Sequence, residues 1–157
     1  MTEPKHGWNA FRPYAQGDLG RVWDTLLGDE LRELQDGGMR NPEALEGELL
    51  ALGTKMIVWD TEDGAVAVYG VTPTPDPEVG LIWALPGSKA HKRWRWGVKT
   101  TEDAIVELGR DYSVLMNLKD ARNTKQITWL KKIGFTFINR LQGENGQTYL
   151  EFVRIMK

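Results

Sequence analysis

The chain has 157 residues, 41% hydrophobic and 27% charged, with a formal net charge of −2. That length can bury a core as one domain, 1–157, and the charge is too balanced for a protein that coats nucleic acid through overall attraction. No apolar run reaches the length of a membrane span, and the absence of cysteine excludes disulfides, thiolate nucleophiles and cysteine-ligated metals.

The N-terminal stretch MTEPKHGWNAFRPY lacks a basic-then-apolar pattern, so no secretory signal is expected. AFRPY reads as a short strand. Asp18 is then expected to cap a helix whose apolar stripe runs through Leu19, Val22, Trp23, Leu26, Leu27 and Leu31. The paired glycines of QDGGMRN break it. Asn41-Pro42 supplies a cap and a first-turn proline for a second helix, with Leu45, Leu49 and Leu52 on one face and Gly53 as its stop. Three strands follow, KMIVWD (55–60), AVAVYGVTP (65–73) and VGLIWALPG (79–87), the first two joined through TEDG. Residues 90–108 read as one long helix, with Trp94, Val98, Thr101, Ile105 and Leu108 at helical spacing. YSVLMNL (112–118) is a strand, 123–133 a helix, and the last two strands form a hairpin around GENG.

The helix at 123–133 is the most fully punctuated. Asn123 can cap it, Gln126 can complete a capping box, Lys131 and Lys132 suit its C-terminal dipole, and Gly134 can take the left-handed conformation that ends it. The predicted order is β-α-α-β-β-β-α-β-α-β-β, a mixed α/β sheet with helices on its faces.

Chemistry is less legible. His6 and His91 stand far apart, so no metal site is expected, and His91 alone reads as a surface residue. Glu78 and Asp60 sit at strand ends with no catalytic partner evident. The stretch 89–99 carries Lys89, Lys92, Arg93, Arg95 and Lys99 without an acid. Cations at a helix start oppose the dipole, which a bound anion would relieve. A solvated basic face, with Lys99 paired to Glu102 or Asp103, explains the same pattern, and both readings stay open. Trp94 fits the core stripe, and Trp96 points elsewhere, toward a contact surface.

The run Asn123-x-x-Gln126-x-x-x-Leu130-x-x-x-Gly134-Phe135, after the strand VLMNL, resembles the last conserved block of the GNAT N-acetyltransferase superfamily. The element order over about residues 10–156 is similar to that family as well. GLIWALPG followed by WR and DARNTKQITWLKKIGFTF resembles, more narrowly, the GNAT-like internal virion proteins of short-tailed bacteriophages. The resemblance implies a GNAT-like mixed sheet whose strands 79–87 and 112–118 run parallel and splay apart. It implies an acetyl-CoA site formed by Trp83, Ala84, Leu85, Lys92, Arg93 and Asn123. Two departures stand out. The glycine-rich pyrophosphate loop is replaced by PGSKAHKRWRWGVK, and the tyrosine that protonates the leaving thiolate maps to Leu130. The expectation is therefore a phage-encoded, virion-associated protein with a weak acetyl-CoA site and no assignable catalytic residue. It would be found in the virion or the bacterial host cytoplasm and act in assembly or delivery. Its partners would be other virion proteins, a host protein, or nucleic acid bound through 89–99. The alternatives are an acyl-CoA-dependent N-acetyltransferase with an unusual cofactor loop, or a host-protein or nucleic-acid binder.

Overall fold

The computed structural model of the chain describes residues 10–26 and 28–157, the side chains of 94–96 excepted. The chain runs β1 (Phe11–Pro13), α1 (Asp18–Trp23), α2 (Gly28–Asp36), α3 (Pro42–Ala51), β2 (Lys55–Thr61), β3 (Gly64–Pro73) and β4 (Val79–Pro86). It continues with α4 (Ser88–His91), α5 (Trp94–Leu108), β5 (Val114–Asp120), α6 (Thr124–Lys132), β6 (Thr136–Gln142) and β7 (Thr148–Ile155). The strands form one seven-stranded sheet in the order β1-β2-β3-β4-β5-β7-β6. All neighbours are antiparallel except β4 and β5, which run parallel as the sequence suggests. Among the described residues no helix is long and apolar enough to cross a membrane.

Alternation along the strands divides the core in two. Ile57, Trp59, Ala67, Tyr69 and Val71 face α5 and pack with Ala104, Ile105 and Leu108. Met56, Val58 and Val68 face the other way and pack with Leu19, Val22 and Leu49 of α1 and α3. Burial on both faces explains why the sequence of β3 reads as a nearly continuous apolar run.

Both long helices predicted from periodicity are interrupted. The first ends at Trp23, where the Thr25 N–H and hydroxyl turn back onto the Val22 carbonyl, both at 2.9 Å, and α2 restarts at Gly28. Asp18 is not its cap but its first residue, preceded by Gly17 at φ 91°. The buried Asp18 carboxylate accepts the Ala15 N–H at 2.7 Å and pairs with Arg12 and Arg21. The second helix divides into α4 and α5 at Lys92-Arg93, because Arg93 turns inward to ion-pair with the β2–β3 turn. Leu52 lies past the last turn of α3 and is exposed rather than on its apolar face. Expectations for Leu27 and for the Trp94 and Trp96 side chains fall outside the described residues.

The C-terminal punctuation of α6 is as predicted, with Gly134 at φ 93°. Asn123 caps it, accepting the Gln126 N–H at 3.3 Å. The capping box is not formed. Asn123 N–H donates to the Asp120 carbonyl, and the Gln126 side chain is drawn away toward α2 and β5.

Candidate functional site

The site begins where two strands part. β4 pairs with β5 only over Val79–Leu81 opposite Val114–Met116. One residue further on, Asn117 Nδ2 reaches across to the Ile82 carbonyl at 2.8 Å and props the gap. Beyond it the edge of β4 at Trp83, Ala84 and Leu85 is free of β5. The gap is continuous with a cavity of about 290 Å³ that reaches both faces of the sheet, from Leu34, Leu45 and Leu49 to Thr101, Ile105 and Leu130. A second cleft, of about 440 Å³, lies between α6 and the α4–α5 side. The two share a wall made by Tyr69, Ala84, Thr101, Gln126, Leu130 and Ile133.

Packing places the aromatic walls. A Cβ at Gly70 would stand 2.5 Å from Trp83 Cε2, so only glycine lets the indole lie across β3. Trp83 Nε1 is buried there without a hydrogen-bond partner. A Cβ at Gly97 would meet Trp129 Cη2 at 2.5 Å, so the one glycine of α5 serves to seat the indole of α6.

An acidic helix closes the cavity from one side. Glu30, Glu33 and Asp36 recur at i, i+3 and i+6 on α2, and therefore share a face. Glu30 Oε1 meets His91 Nε2 at 3.3 Å and accepts Gln126 Nε2 at 3.0 Å. Glu33 accepts Lys119 Nζ and Asn123 Nδ2, both at 3.1 Å, and Asp36 accepts Arg122 Nη2 at 3.0 Å. Lys119 Nζ also donates to Gln126 Oε1 at 2.8 Å. Glu30 is 6% exposed and its Oε2 has no hydrogen-bond partner. Burial pushes its carboxyl up, but the hydrogen bond of His91, that of the Glu30 backbone N–H, the charge of His91 and Gln126 together outweigh that and hold it below the ordinary value.

The other buried polar group on the wall is Tyr69, 3% exposed. Its hydroxyl stands 3.0 Å from Thr101 Oγ1, and burial raises its pKa, so the phenol stays protonated.

The predicted site residues fall into three groups. Trp83, Ala84 and Leu85 line the cavity, and Ala84 lines both spaces. Asn123 is buried behind the wall as cap and as a donor to Glu33. Lys92 is exposed and away from either cavity, and Arg93 is 8% exposed and held by Glu62 at 3.0 Å and Asp63 at 2.6 Å. Arg93 is thus committed to the protein rather than offered to a ligand. In the rest of the basic stretch Lys99 pairs with Asp103 at 2.8 Å, one of the two partners the spacing allowed. His91 is not simply on the surface but faces Glu30 and the ring of Trp129. Glu30, Glu33, Tyr69, Thr101 and Lys119 were not legible as site residues, because nothing local links α2 to β5, or β3 to α5. The three-residue spacing of acids on α2 was the one available signal.

Acetyl-CoA, which a GNAT-like sheet implies, can be tested against these residues. The released edge of β4 and the apolar cavity fit an acyl-pantetheine arm. Most of the backbone N–H groups leading into α5 are already engaged within the chain. The N–H groups of Gly87, Ser88, Ala90, His91, Lys92 and Arg93 all donate to carbonyls of this chain. Lys125 and Lys132, on the wall of the larger cleft, are the cations placed to meet that end. Among the described residues no cluster of ligating side chains could hold a metal ion.

No protein-family model matches the chain, and no curated protein matches it by sequence. Solved structures do match its shape. A spermidine N-acetyltransferase SpeG chimera from Vibrio cholerae and hSSAT superposes with a TM-score of 0.73 at 11% identity, over 93% of this chain and 94% of that one. The ribosomal-protein-alanine N-acetyltransferase of Brucella melitensis gives 0.71 at 16%, over 92% and 98%. AAC(6′)-Ib in complex with paromomycin and acetyl-CoA gives 0.72 at 14%, over 93% and 92%. At such identities the likeness is one of fold, and the fold is that of the GNAT acetyltransferases.

Proposed function

We propose that this GNAT-fold chain is an acyl-thioester-dependent N-acyltransferase that takes acetyl-CoA or a close analogue as donor and a primary amine as acceptor. The observation that carries the reading is the cavity at the parting of β4 and β5, which runs through the sheet and has an ionised, half-satisfied carboxylate, Glu30, in its wall. Two of the structures it resembles are named as N-acetyltransferases and a third was solved with acetyl-CoA, which supports the same reading.

When bound, the donor supplies an activated acyl thioester. The freed edge of β4 at Trp83–Leu85 would hold its arm, and Lys125 and Lys132 would meet its phosphates as point charges. Glu30, held below its ordinary pKa, is a poor proton acceptor at neutral pH but a good partner for an ammonium group. It therefore attracts and orients the acceptor as an ammonium ion, which gives one proton to solvent before the nitrogen lone pair attacks, while Asn117 and Gln126 fix the polar ends of the cavity. The apolar walls of α3 and α5 exclude water, which limits hydrolysis of the thioester.

A second reading rests on the engaged backbone N–H groups of Gly87, Ser88 and Ala90 to Arg93 and on Leu130 at the usual acid position. In it the chain binds a partner within a phage virion or the host cytoplasm and has little use for acetyl-CoA. The pairing of Arg93 and Lys99 leaves less of the 89–99 stretch for nucleic acid than its composition suggests.

Calorimetric titration with acetyl-CoA, with thiol release followed over a panel of primary amines, separates the two. The first reading expects binding that weakens as salt rises and thiol release that requires an amine. No binding at roughly millimolar donor, the top of the usual range of enzyme KM values, would overturn it and leave the second.

A further inference from the structure

We infer that Tyr69, on β3, is the group that protonates the leaving thiolate, replacing the absent acid of α6. The inference rests on the acyltransferase reading and names a catalytic residue within it. Leu130 lines both cavities but carries no proton to give. Tyr69 lines both as well, and the register of the sheet sets it directly opposite Ala84 on the freed part of β4. Partners in register share a face of the sheet, so the ring lies on the face of Ala84, one strand in from the freed edge, and lines the same two spaces. Thr101 Oγ1, at 3.0 Å, holds the hydroxyl, and Phe11 meets the ring edge-on at 5.8 Å.

The step balances. Tyr69 Oη gives its proton to sulfur as the carbon–sulfur bond breaks and the nitrogen–carbon bond forms. Thr101, rotating its hydroxyl, donates to the phenolate, and the proton released by the acceptor nitrogen restores the phenol. Burial raises the phenol above its ordinary pKa, but the same cavity raises a thiol, so donor and acceptor of the proton move together.

The test is Tyr69→Phe, which removes one oxygen and keeps the ring. It is assayed with n-butylamine, spermidine and a peptide bearing a free α-amine. With acetyl-CoA, kcat is expected to fall about 10²–10⁴-fold with little change in KM. With an aryl thioester, whose thiol leaves without a proton, the loss should shrink to a few-fold. Affinity for free CoA, measured by calorimetry, should fall about two- to tenfold. Thr101→Val should give a smaller loss with the same dependence on leaving group, and thermal unfolding confirms that each variant folds. Equal loss with both thioesters means that Tyr69 acts through packing, and no loss with either removes it from the reaction. Both results overturn the inference and leave the acyltransferase reading standing. If the unmodified protein transfers from neither donor, that reading fails and the inference with it.

Discussion

A methyl group at Gly70 probes how tightly the site is built. In Gly70→Ala the new Cβ would lie 2.5 Å from Trp83 Cε2 and 2.9 Å from Nε1, where ordinary contact begins at 3.4 Å. Cζ2 is closer still, so the indole must retreat by about 1.1 Å, and the open side is the cavity of about 290 Å³ that it lines. Forced displacement of a packed side chain costs about 1–3 kcal/mol. At the middle of that range, a chain this size loses about 4–8 °C of Tm and about 1 M of urea midpoint, for an m-value of about 2 kcal/mol/M. The cost should belong to the pair and not to glycine. In a Trp83→Leu background the smaller side chain leaves room, so Gly70→Ala should cost less than half as much. Urea unfolding of the four variants in this cycle measures the coupling directly. An equal cost in both backgrounds would refute the close-approach argument and assign the effect to the backbone of β3.

Gly134 is at φ 93°, so Gly134→Val should destabilise more than Gly134→Asn, which tolerates left-handed backbone; equal urea midpoints would remove the argument from the C-terminus of α6. Arg93→Ser should lower stability by about 1–3 kcal/mol by breaking charged hydrogen bonds to Glu62 and Asp63, while Lys92→Ser, at an exposed position, stays within about 0.5 kcal/mol. The acid limb of stability should depend on Asp18. Burial pushes its carboxyl up, but Arg12, the Ala15 N–H and Arg21 outweigh that and hold it low. A carboxyl whose folded value lies below its unfolded value of about 3.9 contributes fully above about pH 5 and loses that contribution as pH falls through its folded value. Asp18→Asn should therefore flatten the dependence of stability on pH between about 5 and 2, whatever its effect at neutral pH, as urea midpoints across that range would report.

The legible parts of the sequence were those set by neighbours along the chain. Asn41, Asn123 and Gly134 announced their caps because a cap is a contact within three or four residues. The strands were read from apolar runs, and the parallel direction of 79–87 and 112–118 followed from the resemblance carried by the block around Asn123. The break at Arg93 was missed because it is caused by a partner that periodicity cannot see. Arg93 turns inward for Glu62 and Asp63, some thirty residues away, and the cost of interrupting a helix is offset by that ion pair. Lys92 and Arg93 looked equivalent on paper and are opposite in place, one exposed and one buried. Tyr69 was read only as part of a strand, and it took the register with Ala84 to place it on the wall of both cavities.

The attachment of α2 bears on how the molecule assembles. Glu30 is the one residue of that helix that is fully buried, and its polar contacts reach far along the chain: 96 residues to Gln126, 90 from Glu33 to Asn123, 86 from Asp36 to Arg122. Closing such long loops must be met in entropy before any of these contacts gives a return. Helix α2 therefore docks only after β5 and α6 are in place, late in folding. By the same accounting it is the first segment to detach when the native state breathes, so the cavity opens at a free energy well below that of global unfolding.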